Sequence, residues 1–346
     1  MLNNQLSPQS NPNGFACNHA IKKALTSVMM VIALHIISYQ LPAQSASPVS
    51  AKTVRLFEII RSGDANELEQ QLAKGADAND TLDSYSALMA ATLNGTVEQM
   101  KILIAHGANV NYQASQGISA LWLAVPDWDK TILLLDHAAD VQHQVEGYGI
   151  LVKLAAIPGT VKIFHLLIEK GADPKKSSTD NFLIYNAAMG GDTAILGLLI
   201  RSGLKVNDTV AYGDYPINAA TNYRNFEAIK MLVENGANVN VQPKSFQLES
   251  FNGITPLMYA SASNDKPSFY YLLEHGANPN LKSKMGYTAL MMLQQSEIDD
   301  PEMTAALIKH GAIVSTKATD GTDALYYAKR KGNTQSVELL KNHATK

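Results

Sequence analysis

The chain has 346 residues, of which 46% are hydrophobic, and its 28 basic and 31 acidic side chains give a formal net charge of −3. This weakly acidic balance argues against nucleic acid or anionic lipid as a partner, because both require clustered Lys and Arg. The single cysteine, Cys17, excludes a disulfide framework, so the fold must be held together by its core.

The first fifty residues have the composition of a secretory signal peptide. They contain no Asp or Glu, and Lys22 and Lys23 precede a 14-residue apolar run, Ala24–Ile37, that is followed by small residues. A helix of that length is too short to span a bilayer core of roughly 30 Å. The order of charged, apolar and small residues is typical of an export signal. We therefore predict a cleaved signal peptide over residues 1–46 and a linker over 47–51; an uncleaved anchor or a disordered tail is the alternative.

Cleavage would change both the cysteine content and the charge of the protein. It removes Cys17, Lys22 and Lys23, which leaves 26 basic and 31 acidic groups and a net charge of −5. We expect the mature protein to be a monomer exported from a bacterial cell. The periplasm is the predicted location and secretion the alternative, without stable membrane insertion after cleavage.

From residue 52 onward a five-residue motif, Gly-Ala-Asp/Asn-x-Asn, recurs at a nearly constant interval; we call it the repeat tag. Successive tags are separated by 32, 31, 33, 32, 33, 40 and 35 residues. A period near 33 predicts a stacked-repeat solenoid, in which each unit contacts only its neighbours. The tags begin at Gly75, Gly107, Ala138, Gly171, Gly203, Gly236, Gly276 and Gly311.

Each period predicts two helices. Thr255 and Thr288 suit helix N-caps, and Pro256 then falls at the first helical position, where its missing N–H costs nothing. The tag glycine suits the left-handed C-cap of the second helix. A glycine between the two helices is expected to take the positive φ of a tight turn, at Gly95, Gly159, Gly191 and Gly332.

These signatures, [T/S]-[P/A]-L-x-x-A and the terminal tag, resemble the ankyrin repeat over residues 52–346. The resemblance implies an all-α solenoid of about nine helix-turn-helix units with hairpin-like loops, and a non-catalytic module or scaffold for protein–protein interaction. It also implies that partners bind on a concave face formed by the loop tips and the first helices.

Two columns depart from the family pattern. The usual His after the Leu is absent, and we expect packing to replace its bonds between repeats. The Thr is lost in repeats four to six, where Ile150, Phe182 and Tyr215 stand, so helix caps there should be weaker and the middle of the stack its loosest part. The His column holds Met89, Trp122, Lys153, Tyr185, Asn218, Met258, Met291 and Tyr326.

Two irregular steps indicate where this stack is specialised. The third repeat has lost two residues from its inter-helix turn, which contains Trp128; Trp122 of the same repeat is predicted to be core. The 40-residue step adds about seven residues within 241–251, including Phe246 and Phe251. Long loops in compact proteins are often functional.

Neither an enzyme nor a metal protein is indicated. There is no P-loop, G-x-S-x-G, H-E-x-x-H or G-x-G-x-x-G motif, so we expect no catalytic residues and no cofactor. Four histidines directly precede tags, and even those in adjacent repeats are about 33 residues apart, which favours helix C-terminal capping over a shared metal ion. Asp299 and Asp300, in a three-residue insertion, are predicted to lie in a solvated turn.

The leading hypothesis is an exported protein that binds a protein partner through its varied loop and helix-end positions. The alternatives are a secreted effector acting in a host cell, an intracellular adaptor, and an enzyme or small-molecule binder. For any one candidate residue, packing against the next loop is the competing explanation. The candidates are Tyr85, Leu93, Asn94, Ile118, Trp128, Tyr148, Ile157, Asn181, Met189, Tyr212, Asp214, Asn222, Tyr223, Phe246, Phe251 and Ile254.

Overall fold

The computed structural model describes residues 49–145, 147–177, 181–211, 213–244 and 252–344. Within these ranges the chain forms eighteen α-helices in nine consecutive pairs. The helices are α1 (Ala51–Ser62), α2 (Ala65–Ala73), α3 (Ala87–Asn94), α4 (Val97–Ala105), α5 (Ala120–Ala124), α6 (Trp128–Asp136), α7 (Ile150–Ala155), α8 (Val161–Glu169), α9 (Phe182–Gly190), α10 (Thr193–Arg201), α11 (Pro216–Asn222), α12 (Phe226–Glu234), α13 (Pro256–Ala262), α14 (Lys266–Glu274), α15 (Ala289–Gln294), α16 (Pro301–Lys309), α17 (Ala324–Lys331) and α18 (Thr334–Ala344).

The nine pairs stack in two layers. Neighbouring first helices pack against each other, least extensively at α5 and α7, and most second helices contact a neighbouring second helix in a second layer behind them. The predicted all-α repeat solenoid of nine units is therefore confirmed. The predicted signal peptide lies outside the described residues.

The core lies between the two layers and repeats with the sequence period. One leucine at the same repeat position in each second helix from α4 to α16 is fully buried, because the helix turns the same face to the first-helix layer in every repeat. These leucines are Leu103, Leu134, Leu167, Leu199, Leu232, Leu272 and Leu307.

Short antiparallel pairings close some of the loops between repeats. Strands β1 (Thr81–Leu82) and β2 (Tyr85–Ser86) pair with each other, as do β3 (Gln144–Val145) and β4 (Tyr148–Gly149). Two further loops are closed by single bridges. The loops from successive repeats form one edge of the stack, and the turns between paired helices form the other.

The helix N-termini follow the predicted capping pattern, including the absence of a side-chain cap in repeats four to six. Thr255 and Thr288 accept hydrogen bonds from the backbone N–H three residues ahead, at 3.2 and 3.4 Å. In repeats four to six, α7, α9 and α11 begin after Gly149, Asn181 and Tyr215 without a side-chain cap bond. The prediction that the Thr cap is lost there is confirmed, but only Tyr215 is at the predicted position: the caps of α7 and α9 are Gly149 and Asn181, one residue before Ile150 and Phe182.

Helix C-termini end on left-handed residues at the tags. The seven tag glycines have φ between 84° and 102°, and Ala138 adopts the same region with φ of 60°. For an L-residue other than Gly, this conformation costs about 1–2 kcal/mol. The third tag is therefore a strained version of the others.

The prediction for the inter-helix glycines is right at three positions and wrong at one. Gly159, Gly191 and Gly332 have positive φ, but Gly95 has φ of −101°. Gly95 is constrained by space instead, since a Cβ there would lie 2.5 Å from Oε1 of Gln99. That amide oxygen accepts the backbone N–H of Thr96 in the capping box of α4.

Asp299 and Asp300 are not in a solvated turn. Asp300 is only 6% exposed, caps α16 by accepting the Met303 N–H at 3.0 Å, and forms an ion pair with Lys266 at 2.9 Å. Asp299 accepts the Gln335 N–H at 2.9 Å at the start of α18. Negative charge at a helix N-terminus is stabilising, so the insertion joins the last two repeats.

One side chain in each regular tag joins consecutive repeats. Asn240 donates from Nδ2 to the carbonyl of the next tag glycine, Gly276, at 3.0 Å, and its Oδ1 accepts the Asn278 N–H at 2.7 Å. We call this two-bond contact the asparagine clamp. It recurs at Asn79, Asn111, Asn207 and Asn280.

The clamp is incomplete in the middle of the described stack. Gln142 donates to the Gly171 carbonyl but makes no bond with the following tag amide, and Lys175 makes neither bond. The backbone at Lys175 has kept the clamp geometry, because its N–H still bonds Oδ1 of Asp173 at 2.9 Å, as the Asn240 N–H bonds Asn238. Only the side chain is missing.

The clamp predicts opposite effects for two substitutions. Asn240→Ala removes both bonds and should lower the free energy of unfolding by about 1–3 kcal/mol, at about 0.5–1.5 kcal/mol for each bond. Lys175→Asn should create both bonds and raise it by a similar or smaller amount. Urea denaturation followed by circular dichroism measures both changes.

Asn342→Ala, at an exposed position on α18, is the matched control and should leave the urea midpoint unchanged. If Asn240→Ala behaves like this control, the clamp does not stabilise the stack.

Candidate partner-binding surface

Three predicted loop residues lie at the loop edge of the stack. Tyr85 and Tyr148 are half-buried in β2 and β4, and burial raises the pKa of the Tyr85 hydroxyl. The Tyr148 ring meets Phe182 edge-on, with centroids 5.3 Å apart. Asn181 is exposed and donates to the Thr209 carbonyl at 3.1 Å. Each of these side chains also contacts its own or the next repeat, so it contributes to stacking as well as to the surface.

Two predicted contact residues belong to the core. Ile118 is 5% exposed and Ile254 is 7% exposed. Both directly precede a capping residue, Ser119 or Thr255, and their side chains face inward against the first-helix layer. In this fold they do not present a surface to a partner.

Asp214 lies at the centre of a hydrogen-bonded network rather than free in a loop. Its carboxylate accepts the Tyr215 N–H at 2.8 Å, the Asn218 amide at 3.0 Å and the Tyr185 hydroxyl at 3.1 Å. Burial raises the pKa of Asp214, and these three donors partly oppose the rise. Asn218 also donates to the Ile254 carbonyl at 3.2 Å, which links repeats five to seven.

Four further candidates are half-buried near the ends of first helices: Ile157, Met189, Asn222 and Tyr223. Met189 packs with Phe182 against a core cluster of Tyr185, Val210 and Ala219. Burial raises the pKa of the Tyr223 hydroxyl. These residues present part of their surface at the turn edge, while the rest of each side chain stabilises the repeat.

Leu93, at the inter-helix turn of the second repeat, and Trp128, at the shortened turn of the third, are both at the surface. Each is 43% exposed, and the neighbouring Asn94 is also exposed. Lys130 joins their two repeats, since Nζ donates to the Thr92 carbonyl at 2.6 Å. Leu93, Asn94 and Trp128 thus lie on adjacent turns, and we call these three residues the turn patch.

Trp122, the other tryptophan, is in the core as predicted. It contacts Lys153, for which the sequence did not indicate a role. Lys153 Nζ lies 5.4 Å from the centre of the Trp122 ring and donates to the Trp122 carbonyl. Burial lowers the pKa of the Lys153 ammonium to about 8. This contact crosses the junction of repeats three and four, where α5, only five residues long, packs less extensively against α7 than other first helices do against theirs.

Polar contacts in repeats four to six thus replace the bonds that the family's His would make. The prediction that packing alone replaces them is wrong for Lys153, Tyr185 and Asn218, which all hydrogen-bond to a neighbouring repeat. It holds for Met89, Met258 and Met291, which are buried and apolar.

The remaining candidates, Tyr212, Phe246 and Phe251, lie outside the described residues. In the part of the chain that the structure describes, no group of three or more His, Cys, Asp and Glu could hold a metal ion. The histidines before the tags are at helix C-caps, as expected; His275, for example, bonds the Tyr271 carbonyl through Nδ1 at 2.8 Å. No helix in the described ranges has the length and apolar character needed to cross a membrane.

The protein is a repeat solenoid of the ankyrin type, as its paired helices, its loop edge and the glycine that begins each regular tag together indicate. The family model for ankyrin repeats matches residues 56–145, 152–243, 184–283 and 257–346. The chain belongs to the ankyrin-repeat family, whose members generally mediate protein–protein interaction and are typically non-enzymatic.

Proteins with similar sequences come from several different organisms. The chain is 24% identical over 254 residues to ankyrin repeat protein L371 of Acanthamoeba polyphaga mimivirus, covering 68% of this chain and 32% of that protein. It is 24% identical over 280 residues to human transient receptor potential cation channel subfamily A member 1 (75% and 24% covered). It is 29% identical over 233 residues to ankyrin repeat protein nuc-2 of Neurospora crassa (66% and 18% covered). The chain therefore spans a third or less of the length of these relatives.

The half-buried Lys153 predicts a pH dependence of stability. The folded-state pKa of Lys153, about 8, lies below the 10.5 of an unperturbed lysine, so between these values the unfolded state binds more protons and stability rises with pH. Lys153→Met should remove this rise and, below pH 8, raise the free energy of unfolding by up to about 3 kcal/mol. Urea denaturation at pH 7, 8, 9 and 10 gives the difference from wild type.

Lys162→Met, at an exposed position on α8, is the control and should show a difference that does not change with pH. A constant difference for Lys153→Met as well would contradict the depressed pKa.

Proposed function

We propose that the protein is a non-catalytic, exported ankyrin-repeat protein that binds a protein partner, with the turn patch as a principal contact. The observation that carries this proposal is the exposure of Trp128 and, on the adjacent turn, of Leu93, each at 43%. Tryptophan at the centre of an apolar surface is among the residues that contribute most to protein–protein binding.

The fold does not require a tryptophan at this position. Residue 128 is the first residue of α6, where the helix is started by the Asp127 side chain, which accepts the Lys130 N–H at 3.0 Å. Burial is what stabilises a large aromatic side chain, and nearly half of this one is exposed. A role in contacting another molecule accounts for the residue better than a role in packing does.

The turn patch is also held rigidly. Lys130 bonds two carbonyls of the preceding turn, Thr92 at 2.6 Å and Gly95 at 3.3 Å, and so ties α6 to the turn that carries Leu93. Side chains fixed on helices lose less entropy when they bind than those on free loops. The half-buried loop tyrosines, Tyr85 and Tyr148, form a separate candidate contact at the loop edge, on the other side of the stack from the turn patch.

Export is the second part of the proposal, and the sequence supports it. Lys22 and Lys23, the apolar run Ala24–Ile37 and the small residues after it follow the order of a signal peptide. The repeat domain begins directly afterwards, with α1 at Ala51. The partner would then be a protein of the bacterial envelope or, if the protein is secreted, of a host cell.

Site-specific photocrosslinking tests the turn patch. A photoreactive phenylalanine analogue replacing Trp128 or Leu93 should crosslink the same partner in envelope extracts. The analogue at Ile313, 57% exposed in the tag of the eighth repeat, should not. Trp128→Ala should weaken capture of that partner about 30-fold or more, corresponding to at least 2 kcal/mol, without lowering the melting temperature. Equal crosslinking from all three positions, or none from residue 128, would remove the turn patch from the interface.

Export is tested by the N-terminus of the protein purified from its native cells. Cleavage should leave an N-terminus near residue 47, and the mature form should be found in the periplasmic or extracellular fraction. An intact Met1 in the cytoplasmic fraction would refute export while leaving the proposed interface untouched.

A further inference from the structure

The junction between repeats three and four is the least closely packed in the described stack. The first helices α5 and α7 contact each other less than first helices do at any other junction, and the second helices α6 and α8 are among the most weakly packed of their layer. It is the one junction between described repeats at which both layers are weak. Hydrophobic packing therefore holds these two repeats together less firmly than it holds their neighbours.

The turn edge of this junction lacks the bonds that the neighbouring junctions have. Between repeats two and three, Lys130 donates from Nζ to the Thr92 carbonyl at 2.6 Å. Between repeats four and five, the Gly159 N–H bonds Oδ2 of Asp192 at 3.3 Å. Among the residues that the structure describes, no hydrogen bond or ion pair joins the turn that carries Trp128 to the turn of repeat four. These two turns are therefore not fixed to each other.

The loop edge of the same junction stays joined. Gln142 donates to the carbonyl of the next tag glycine, and Nε2 of Gln113 lies 3.0 Å from Nδ1 of His143 in the following loop. Asp136 forms an ion pair with Lys170 at 3.3 Å, at the C-terminal ends of α6 and α8. Two bodies that are bonded along one edge and weakly packed elsewhere rotate about the bonded edge, which is the arrangement of a hinge.

One side chain crosses the core of the junction between the first helices. Lys153 on α7 donates from Nζ to the Trp122 carbonyl on α5 and lies 5.4 Å from the centre of the Trp122 ring. In the same column of other repeats, Met258 and Met291 are fully buried apolar side chains. A lysine bonds through one atom at the end of a flexible four-carbon chain. This contact is therefore compatible with rotation of α7 relative to α5.

We propose that this junction is a hinge about which repeats one to three and repeats four to nine move as two bodies. The pivot is the loop edge at Gln142 and His143, so the motion widens and narrows the gap between the turn of Trp128 and the turn of Ile157. The turn patch lies wholly on the first body, beside this gap. The inference goes beyond the proposed partner binding and does not depend on it.

The length of the second helices sets the size of the motion at the turn edge. The helices α6 and α8 have nine residues each. Such a helix is about 13 Å long, so a rotation of about 10° around its loop-edge end moves its turn-edge end by about 2 Å. The two ends of one helix therefore move by different amounts if the loop edge is the pivot.

Spin-label distances measured by double electron–electron resonance on the full-length chain test the hinge. Cysteines for labelling replace exposed residues at the second position of second helices, with Cys17→Ser as background. Asn66 on α2 and Lys162 on α8 span three junctions, one of which is the hinge. Glu227 on α12 and Gln335 on α18 span three other junctions and form the matched control. The distance distribution of the first pair should be about twofold wider than that of the control, because only the first pair spans the hinge.

A second pair of labels locates the pivot. Ala73 and Glu169 are the exposed last residues of the same two helices, α2 and α8, at the loop edge. Labels there should give a narrower distribution than labels at Asn66 and Lys162, because the ends nearer the pivot move less.

Completing the asparagine clamp at the pivot should stiffen the hinge. Gln142→Asn supplies the second bond of the clamp, to the following tag amide, as Asn240 makes it, and should narrow the Asn66–Lys162 distribution. Lys175→Asn completes the clamp one junction later, which this pair of labels does not span, and should leave the width unchanged. The control pair should keep its width in both variants, which shows that the rest of the stack stays folded.

Equal widths for the Asn66–Lys162 pair and the control pair would overturn the inference. So would a distribution at the helix C-termini as wide as the one at the N-termini, because the repeats would then slide and not pivot. An unchanged width in Gln142→Asn, or equal narrowing by Lys175→Asn, would remove the pivot from this junction. Crosslinking from Trp128 tests the proposed interface separately, so either proposal can fail without the other.

Discussion

A single asparagine side chain fixes each regular repeat on the next. A helix pair of this length cannot bury its apolar face alone, so the stack forms only when neighbours cover one another in register. Hydrophobic packing supplies most of the free energy but is not directional. The clamp supplies direction, because Asn240 and its counterparts engage a carbonyl and an amide of the next tag at the same time. The tag glycine, the αL turn and the buried leucine column all follow from that repeated geometry.

The middle of the stack is held together differently. The clamp is partial at Gln142 and absent at Lys175, the tag glycine is replaced at Ala138, and three first helices have no side-chain cap. Buried polar contacts take over there, from Lys153 to Trp122 and from Tyr185 and Asn218 to Asp214. Such contacts are more sensitive to protonation than apolar packing is, since burial disfavours the charged form of each group. The stack therefore combines regular ends with a middle whose stability depends on ionisable groups.

The candidate contacts lie on different edges of the stack. The turn patch lies at the turn edge of repeats two and three, while Tyr85 and Tyr148 lie at the loop edge of repeats two and four. In a solenoid each repeat contacts only its neighbours, so residues on distant repeats can vary without disturbing one another. This independence explains how one fold can carry separate binding chemistries, and why the family identity alone does not specify a partner.

The sequence by itself determined the period, the two helices of each repeat, the residues that begin and end them, and the inward position of Trp122, because each follows from local conformational preference or from a strict interval. Only the tertiary structure decided which varied positions face outward. Ile118 and Ile254 are buried, Trp128 is exposed six residues after a buried Trp122, and Tyr326 is exposed in a column whose methionines are covered. The repeat interval in the sequence predicts where a residue lies within its repeat, but the exposure of that residue depends on the neighbouring repeat that covers it. For the same reason the sequence did not reveal the role of Lys153, because its lowered pKa arises from burial at a junction between repeats.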